Sequence, residues 1–292
     1  MRPSRTTLLA TGATPRELDI PGVDRTHKLR TRADEEKLKA TFEPGARLVT
    51  IGGGWIALEV AASAREAGLD VTVLERSKLP LVSVLGPELA EHLKKLHESH
   101  GVDIRTETEA TGVTDDGVLV GDELVPAEVI LLAAGVTPST ELAAAAGLGV
   151  QDGIIADPQL RTTDPNIWVA GDAAYATNTV LGPLRVEHWD NAIRQGKLAA
   201  RSILGQEGAY DWQPYFYTDQ FEFSMEYVGH SSPDDSVVIR GDLDKNAFIA
   251  YWIAPDGHTI TAGMNVGIWD VNDQLRELIG TTVDPEQLTV LG

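Results

Sequence analysis

The sequence predicts an α/β fold with a buried parallel sheet, followed by a smaller domain of antiparallel strands and a helix. Three observations support this prediction. Short continuous apolar runs, at 48–51 and 129–136, are typical of parallel strands that are buried on both faces. A helical pattern of apolar residues directly follows the first run. In residues 213–264, apolar and polar residues alternate, which indicates an antiparallel sheet.

The central segment, residues 47–75, has the order strand, glycine turn, helix, strand, acidic residue. Gly52 allows a tight turn after the first strand, Gly53 continues it, and Gly54 lacks the Cβ that would keep a pyrophosphate away from the backbone. Ala57 stands where the third glycine of such turns usually lies, and its methyl lets the helix pack closely on the strand. The helix N-terminus directs N–H groups and the positive dipole end at a phosphate. The segment therefore predicts a dinucleotide site.

Glu75 follows the second strand, 71–74, and its carboxylate can accept hydrogen bonds from both ribose hydroxyls. The same charge would repel a 2′-phosphate, so NADH is predicted over NADPH, although Arg76 and Lys78 lie nearby. The alternative is a purely structural glycine turn, but strand, helix and acid together favour the cofactor. The predicted NAD-binding residues in this segment are Gly52, Gly53, Gly54, Trp55, Ile56, Ala57, Glu59 and Glu75.

Composition sets limits on the kind of protein. The 292 residues suffice for about two domains, and the formal charge of −20 argues against non-specific nucleic-acid binding. There is no cysteine, hence no disulfide framework or thiolate metal site. No apolar run is long enough to span a bilayer, so we expect a cytoplasmic protein without a membrane contact. The seven histidines have no metal-ligand spacing. His92, His97 and His100 are expected on a solvated helix face.

The remaining chain divides into recognisable elements. The strand at 7–12 has no partner before it, so the sequence reads as if it starts in the middle of a domain. We predict helices at 34–40, 87–100, 185–200 and 273–279, strands at 102–106, 128–134, 154–156 and 167–170, and a β-meander at 108–126. The strand at 167–170 runs into Gly171-Asp172. An aspartate at a strand's carboxyl end can bind a polyol, or it can be the N-cap of a following helix.

Together these motifs resemble the ferredoxin (rubredoxin, putidaredoxin) reductases, which are FAD- and NADH-dependent flavoproteins. The resemblance implies a two-dinucleotide-binding, Rossmann-like flavoprotein architecture with an inserted NAD domain and a C-terminal α+β reductase domain. RVEHWDNA and the C-terminal domain are the discriminating parts. The matching segments are LLATGATPR (8–16), LRT (29–31), IGGGWIALE (51–59), VTVLE (71–75), AAGVTPSTELAAAAGL (133–148), TTDPNIWVAGDAA (162–174), RVEHWDNA (185–192) and YFYTDQFE (215–222).

The resemblance assigns roles to individual residues. Arg30 would contact the FAD phosphate or ribose, Asp172 the ribitol, and the backbone near Trp189 the isoalloxazine. Glu59 would lie near the nicotinamide end of the NADH site, and Gly135 close to the bound nicotinamide nucleotide. We also assign Gly12 and Gly171 to the FAD site. No catalytic side chain and no metal ligand is implied, because the flavin carries the chemistry.

The family's first FAD-binding GxGxxG unit is absent from this sequence, so we expect an incomplete FAD domain. The predicted domains are 1–22 (remnant of the FAD domain), 23–149 (NAD domain), 150–212 (second part of the FAD domain) and 213–292 (reductase domain). The resemblance implies an oxidoreductase that passes electrons from NADH through FAD to a ferredoxin-like iron–sulfur protein, with a homo-oligomer possible. Two alternatives stay open: a truncated relative that binds NAD but has lost FAD and turnover, and an NADH oxidase similar to apoptosis-inducing factor.

A basic cluster follows the supposed flavin-side stretch. Arg194, Lys197 and Arg201 have helical spacing and would lie on one face. A solvated helix face explains this spacing, and we favour it slightly. The other interpretation is a local docking patch for an acidic ferredoxin.

Overall fold

The computed structural model describes residues 6–292. The helices are α1 (Arg32–Lys39), α2 (Trp55–Glu66), α3 (Val82–Ser99), α4 (Glu141–Ala145), α5 (Trp189–Ile203) and α6 (Asn272–Leu278), with 3₁₀ turns at Val23–Arg25 and Pro285–Gln287. The strands are β1 (Thr7–Leu9), β2 (Ala13–Pro15), β3 (Arg47–Ile51), β4 (Asp70–Leu74), β5 (Val102–Arg105), β6 (Gly112–Thr114), β7 (Gly117–Val120), β8 (Glu123–Pro126), β9 (Val129–Leu132), β10 (Val136–Pro138), β11 (Ile154–Ala156), β12 (Ile167–Val169), β13 (Ala174–Asn178), β14 (Gly182–Arg185), β15 (Tyr215–Gln220), β16 (Phe223–Gly229), β17 (Ser236–Asp242), β18 (Ala247–Ile253) and β19 (Ile260–Val266).

The chain forms two compact units. We call Pro15–Val136 together with Thr218–Ser224 the nucleotide unit, and the rest of the chain the second unit. The turn between β15 and β16 thus belongs to the nucleotide unit, although it lies far away in sequence. The predicted domain boundaries after residues 22, 149 and 212 differ from these limits and stay a prediction.

The nucleotide unit contains a parallel sheet in the order β5-β4-β3-β9. In its register, Ile51 lies beside Leu74 on one side and Leu132 on the other. Val49, Ile51 and Leu132 pack in one core with Val118 of the β6-β7-β8 meander. The continuous apolar runs of β3 and β9 are explained by this burial on both faces.

The second unit holds a parallel pair, β1 and β12, and a sheet in the order β11-β13-β14. It also contains most of a five-stranded sheet in the order β15-β16-β19-β18-β17. Helix α6 contributes Leu275 to a core with Val228 and Ile249 from this sheet. The alternating pattern predicted the sheet, and apolar residues of its strands form this buried face.

Three local expectations differ from the structure. Residues 182–185 form strand β14, paired antiparallel with β13, so helix α5 begins only at Trp189 and not at Arg185. The residue after Asp172 leads into β13, so there is no helix there for this aspartate to cap. The helix predicted at 87–100 begins earlier, at Val82, with a break at Gly86, whose φ is 73°.

Residues 6–292 lack two features, a membrane-spanning helix and a cluster of metal-ligating side chains. No helix in this part of the chain is both long and apolar enough to cross a bilayer. No cluster of three or more histidine, aspartate or glutamate side chains in it could hold a metal ion.

Candidate functional site

Gly52, Glu75 and Gly135 come together at one edge of the parallel sheet in the nucleotide unit. They follow the carboxyl ends of β3, β4 and β9, which are adjacent strands in register. In parallel sheets with helical crossovers, ligands bind outside this edge. The predicted NAD residues from distant parts of the sequence therefore meet where a dinucleotide would bind.

A side chain would have a different effect at each of the three glycines of the turn. Gly52 has φ 107°, and a Cβ there would lie 2.5 Å from the carbonyl oxygen of Ala133. A Cβ on Gly53 would lie 2.9 Å from Oε2 of Glu75. A Cβ on Gly54 would meet nothing within 4 Å. The backbone itself thus requires glycine at 52, a methyl group at 53 would press on the Glu75 side chain, and the space at Gly54 is open to a ligand.

The N-terminus of helix α2 fits a pyrophosphate. Gly54 is its N-cap, and no side chain caps the helix. The first intrahelical bond runs from the Leu58 N–H to the Gly54 carbonyl, so the N–H groups of the preceding turn point out of the helix toward the sheet edge. Ala57 is completely buried, as expected for a close helix–strand contact, while Trp55 is half-buried and the side chain of Ile56 is 44% exposed.

The Glu75 carboxylate is held in place by backbone donors. Oε2 accepts a hydrogen bond from the Gly53 N–H at 2.8 Å, and Oε1 accepts one from the Ser77 N–H at 2.7 Å. An ionised carboxylate has about four acceptor positions, so both oxygens can accept further bonds. The sequence predicted the ribose contact but not that Glu75 also ties the glycine turn to the end of β4.

Glu59 is a half-buried carboxylate about one helical turn beyond Trp55 on α2. Its Oε1 accepts a hydrogen bond of 2.6 Å from the hydroxyl of Thr218. Burial raises the pKa of Glu59; the Thr218 hydrogen bond opposes the rise, and the nearby Asp219 carboxylate adds to it. No pattern in the local sequence could have indicated Thr218, which lies 159 residues away.

The expectation of a solvated face for the three histidines of α3 was wrong. His97 is completely buried, and its Nε2 lies 2.8 Å from Oε1 of Gln220. The ring of His100 stacks on Phe221 with a centroid distance of 3.9 Å, and His92 is half-buried. The turn at 218–224 covers this face of the helix. A helical spacing of polar residues cannot reveal a cover that comes from a distant segment.

Gly12, Gly171 and Asp172 lie together in the second unit. Strands β1 and β12 are parallel neighbours with Leu9 beside Val169, so the glycines follow adjacent strand ends. Gly12 and Gly171 have φ values of 69° and 80°. Asp172 is half-buried at this edge. The arrangement has the strand-end geometry that the resemblance implies for a flavin ribitol site.

Gln195 supports this edge and was not predicted. It is 1% exposed on α5, and its Oε1 accepts a hydrogen bond of 2.8 Å from the Gly171 N–H. One turn earlier, the buried Asn191 accepts a bond of 2.7 Å from the hydroxyl of Tyr210. The signal was available: two amides four residues apart on the buried face of an amphipathic helix need polar partners.

Trp189 and His188 begin helix α5. The Trp189 side chain is 79% exposed. The His188 ring packs on Phe216 at 4.6 Å, and its buried Nδ1 has no hydrogen-bond partner among residues 6–292. Burial lowers the pKa of His188 to about 4; His230 adds to this effect and the Asp172 carboxylate opposes it. The start of α5 thus combines a neutral imidazole with an exposed indole ring.

Arg30 belongs to the nucleotide unit, whereas the other predicted FAD residues lie in the second unit. It is exposed and precedes helix α1. Its backbone N–H lies 3.3 Å from Oδ2 of Asp34, and Thr31 and Asp34 form a capping box at the start of α1. The assignment of Arg30 to FAD stays a prediction.

Comparison with known proteins identifies the family. Residues 3–196 match the pyridine nucleotide-disulphide oxidoreductases, and residues 215–290 match the reductase C-terminal domain. Rhodocoxin reductase from Rhodococcus erythropolis is 37% identical over 254 residues, which are 82% of this chain and 58% of that protein. The ferredoxin–NAD(+) reductase component of the anthranilate 1,2-dioxygenase system of Burkholderia cepacia is 34% identical, over 96% of this chain and 71% of the relative.

A solved structure agrees with these sequence matches. The crystal structure of the covalent putidaredoxin reductase–putidaredoxin complex superimposes with a TM-score of 0.85 and 33% identity, covering 92% of this chain and 67% of the other. The predicted fold class is confirmed. The chain thus belongs to the pyridine nucleotide-disulphide oxidoreductase family and, within it, to the ferredoxin and putidaredoxin reductases that carry a reductase C-terminal domain.

Proposed function

We propose that the protein is an NADH-dependent flavin oxidoreductase that passes electrons from NADH through FAD to a ferredoxin-like iron–sulfur protein. The observation that carries the NADH part is the Glu75 carboxylate, which two backbone N–H groups fix at the carboxyl edge of the sheet. The electron acceptor is proposed from the two relatives, whose names are rhodocoxin reductase and ferredoxin–NAD(+) reductase component. The chain spans 58% of the first of them.

Each residue group of the nucleotide unit has a separate task in this proposal. Gly54 and the α2 N-terminus bind the pyrophosphate through backbone N–H groups and the helix dipole. Glu75 accepts hydrogen bonds from the ribose hydroxyls and repels a 2′-phosphate. Glu59 and Gly135 lie toward the nicotinamide end. These residues bind and orient the cofactor, and no side-chain nucleophile is required.

The second unit offers the residues for FAD. Gly12, Gly171 and Asp172 would hold the ribitol region at the ends of β1 and β12, and Trp189 with His188 would face the ring system. Bound FAD would supply the chemistry, because a flavin accepts a hydride and releases electrons singly. Burial keeps the half-buried His188 imidazole neutral, so it adds no positive charge beside the ring system. The cytoplasmic location and a homo-oligomer stay predictions.

Purification and anaerobic reduction test the proposed function. We expect a yellow protein whose flavin absorbance near 450 nm bleaches within seconds on addition of NADH, and much more slowly with NADPH, because Glu75 opposes the 2′-phosphate. When a ferredoxin is then added, we expect the reduced flavin to reduce its iron–sulfur cluster. A colourless protein that binds NADH would support a binding module instead. Rapid reoxidation by dioxygen without transfer to ferredoxin would support an NADH oxidase.

The basic cluster on α5 is smaller than its spacing suggested. The Arg194 guanidinium donates a hydrogen bond of 2.9 Å to Asp190 and lies 3.3 Å from the ring centroid of Trp212. Its positive charge is therefore paired within the protein. Lys197 and Arg201 are exposed. The candidate docking patch therefore consists of these two side chains.

Reversing the charge of the patch tests its role. We expect the double variant Lys197→Glu/Arg201→Glu to reduce an acidic ferredoxin about tenfold more slowly, because steering between opposite charges is lost. Reduction of a small dye should not change. The ferredoxin effect should diminish at high salt, since surface charges are then screened. Equal slowing of dye and ferredoxin, or no slowing of either, would contradict the docking patch.

A further inference from the structure

Four polar side chains of the nucleotide unit form one hydrogen-bonded chain that ends at Glu59. His97 Nε2 lies 2.8 Å from Gln220 Oε1, and Gln220 Nε2 lies 3.1 Å from Thr218 Oγ1. The Thr218 hydroxyl in turn lies 2.6 Å from Glu59 Oε1. His97 and Gln220 are completely buried, and Thr218 is 2% exposed. We call this set the Glu59 relay.

The donors and acceptors of the Glu59 relay can be aligned in one direction only while Glu59 is ionised. A carboxylate accepts and cannot donate, so Thr218 must give its single proton to Glu59. Thr218 can then only accept from Gln220, which must present its amide N–H₂ to it and its carbonyl to His97. His97 therefore donates from Nε2, and in the neutral ring Nδ1 is then unprotonated. Burial lowers the pKa of His97, which agrees with this state.

The His97 end of the Glu59 relay agrees with this direction of hydrogen-bond donation. The Nδ1 atom of His97 is buried and has no hydrogen-bond partner among residues 6–292. A buried nitrogen without a partner is costly, and less so as an acceptor than as an N–H donor or as part of an imidazolium. The Phe221 ring packs edge-on against this imidazole, with 5.1 Å between the ring centroids. The nitrogen without a partner thus lies at the His97 end of the relay, while Glu59 Oε1 at the other end receives the Thr218 proton.

We propose that Thr218, Gln220 and His97 are positioning residues that hold the Glu59 carboxylate in the orientation in which it binds the nicotinamide half of NADH. The proposal rests on the proposed function, because Glu59 is placed in the NAD site there. Residues 218–224 belong to the reductase C-terminal match and not to the first family match. The nucleotide site of this chain is therefore completed by a segment from the C-terminal part of the sequence.

Calorimetric titration of NAD⁺ into the intact protein tests the Glu59 relay without turnover. Thr218→Val keeps the shape but removes the hydroxyl, so Glu59 Oε1 loses its donor; we expect NAD⁺ affinity to fall about tenfold. Thr218→Ser, which restores the hydroxyl, should recover most of it. Thr261→Val is the matched control, because the Thr261 hydroxyl also donates to a carboxylate, Asp235, at 2.6 Å. This control should bind NAD⁺ as the wild type does.

A double-mutant cycle separates positioning from folding. In a Glu59→Ala background, Thr218→Val should cause no further loss of affinity, because its effect passes through Glu59. An equal loss in both backgrounds, or wild-type affinity in Thr218→Val itself, would overturn the proposal. A wild-type protein that binds no NAD⁺ would instead overturn the proposed function.

The carboxyl group of Glu59 gives a second readout that needs no cofactor. A carbon-13 NMR titration, assigned with Glu59→Gln, follows its protonation directly. The Thr218 hydrogen bond opposes the upward effect of burial and of Asp219 on the pKa of Glu59, so Thr218→Val should raise this pKa further. Thr218→Ser should not. An unchanged pKa in Thr218→Val would show that the hydroxyl does not act on the carboxylate.

Discussion

Glu75→Gln is expected to lower kcat/KM for NADH by at least about a hundredfold and to remove the preference over NADPH. The two oxygens of Glu75 accept separate bonds from the N–H groups of Gly53 and Ser77. A glutamine side chain has one acceptor oxygen, so it can accept only one of these two bonds. Its N–H₂ group would then face the other backbone N–H, and two donors cannot bond to each other. We therefore expect the variant to lose a charge-assisted bond to the turn as well as the proposed bond to the ribose, each worth about 1.5–3 kcal/mol. Steady-state kinetics with both nucleotides measure the change.

Glu128→Gln is the matched control for this substitution. Glu128 precedes β9 at the opposite edge of the same sheet, where it accepts a bond of 2.8 Å from the Arg47 backbone N–H. Hydrogen bonds from the Arg47 side chain and backbone lower the pKa of Glu128 to about 2. Its replacement should leave the ratio of NADH to NADPH activity unchanged. If Glu75→Gln also left that ratio unchanged, the assignment of Glu75 to the ribose would be wrong.

The sequence was informative where local periodicity and burial coincide. Strands β3 and β9 are buried on both faces, so their apolar runs are continuous and could be recognised. The turn at Gly52 could be predicted because only glycine tolerates its backbone conformation and the close carbonyl of Ala133. The bounds of helix α2 followed from the same pattern, with Gly68 after its end at φ 89°.

The errors occurred where distant segments decide the environment. The start of helix α5 was missed because Gly182–Arg185 is held as a strand by β13 and not by its own propensity. From the sequence, His97 was interpreted as a polar residue on a solvated helix surface. That interpretation failed because Gln220, which packs over it, lies 123 residues away. For the same reason Thr218, which lies 159 residues from Glu59, joined the candidate site only in the structure. Such long-range polar contacts leave no periodic trace in one sequence.

Gly52→Ala should abolish NADH binding and destabilise the protein by about 3 kcal/mol or more. The alanine would have to adopt φ 107°, outside the usual range of L-residues, at a cost of about 1–3 kcal/mol. Its Cβ would also lie 2.5 Å from the Ala133 carbonyl oxygen, so β3 and the segment after β9 must move apart. Because Gly135 and the α2 N-terminus follow these strands, the proposed nucleotide-binding edge of the sheet would open.

Gly45→Ala separates the two parts of this effect. Gly45 lies in the same unit with φ 84°, but a Cβ there would meet nothing within 4 Å. We expect it to cost only about 1 kcal/mol, from the backbone alone, and to leave NADH affinity intact. Urea unfolding and NADH titration of both variants measure stability and binding separately. Equal losses in the two variants would mean that backbone strain is the whole effect and that the approach of Gly52 to Ala133 does not shape the site.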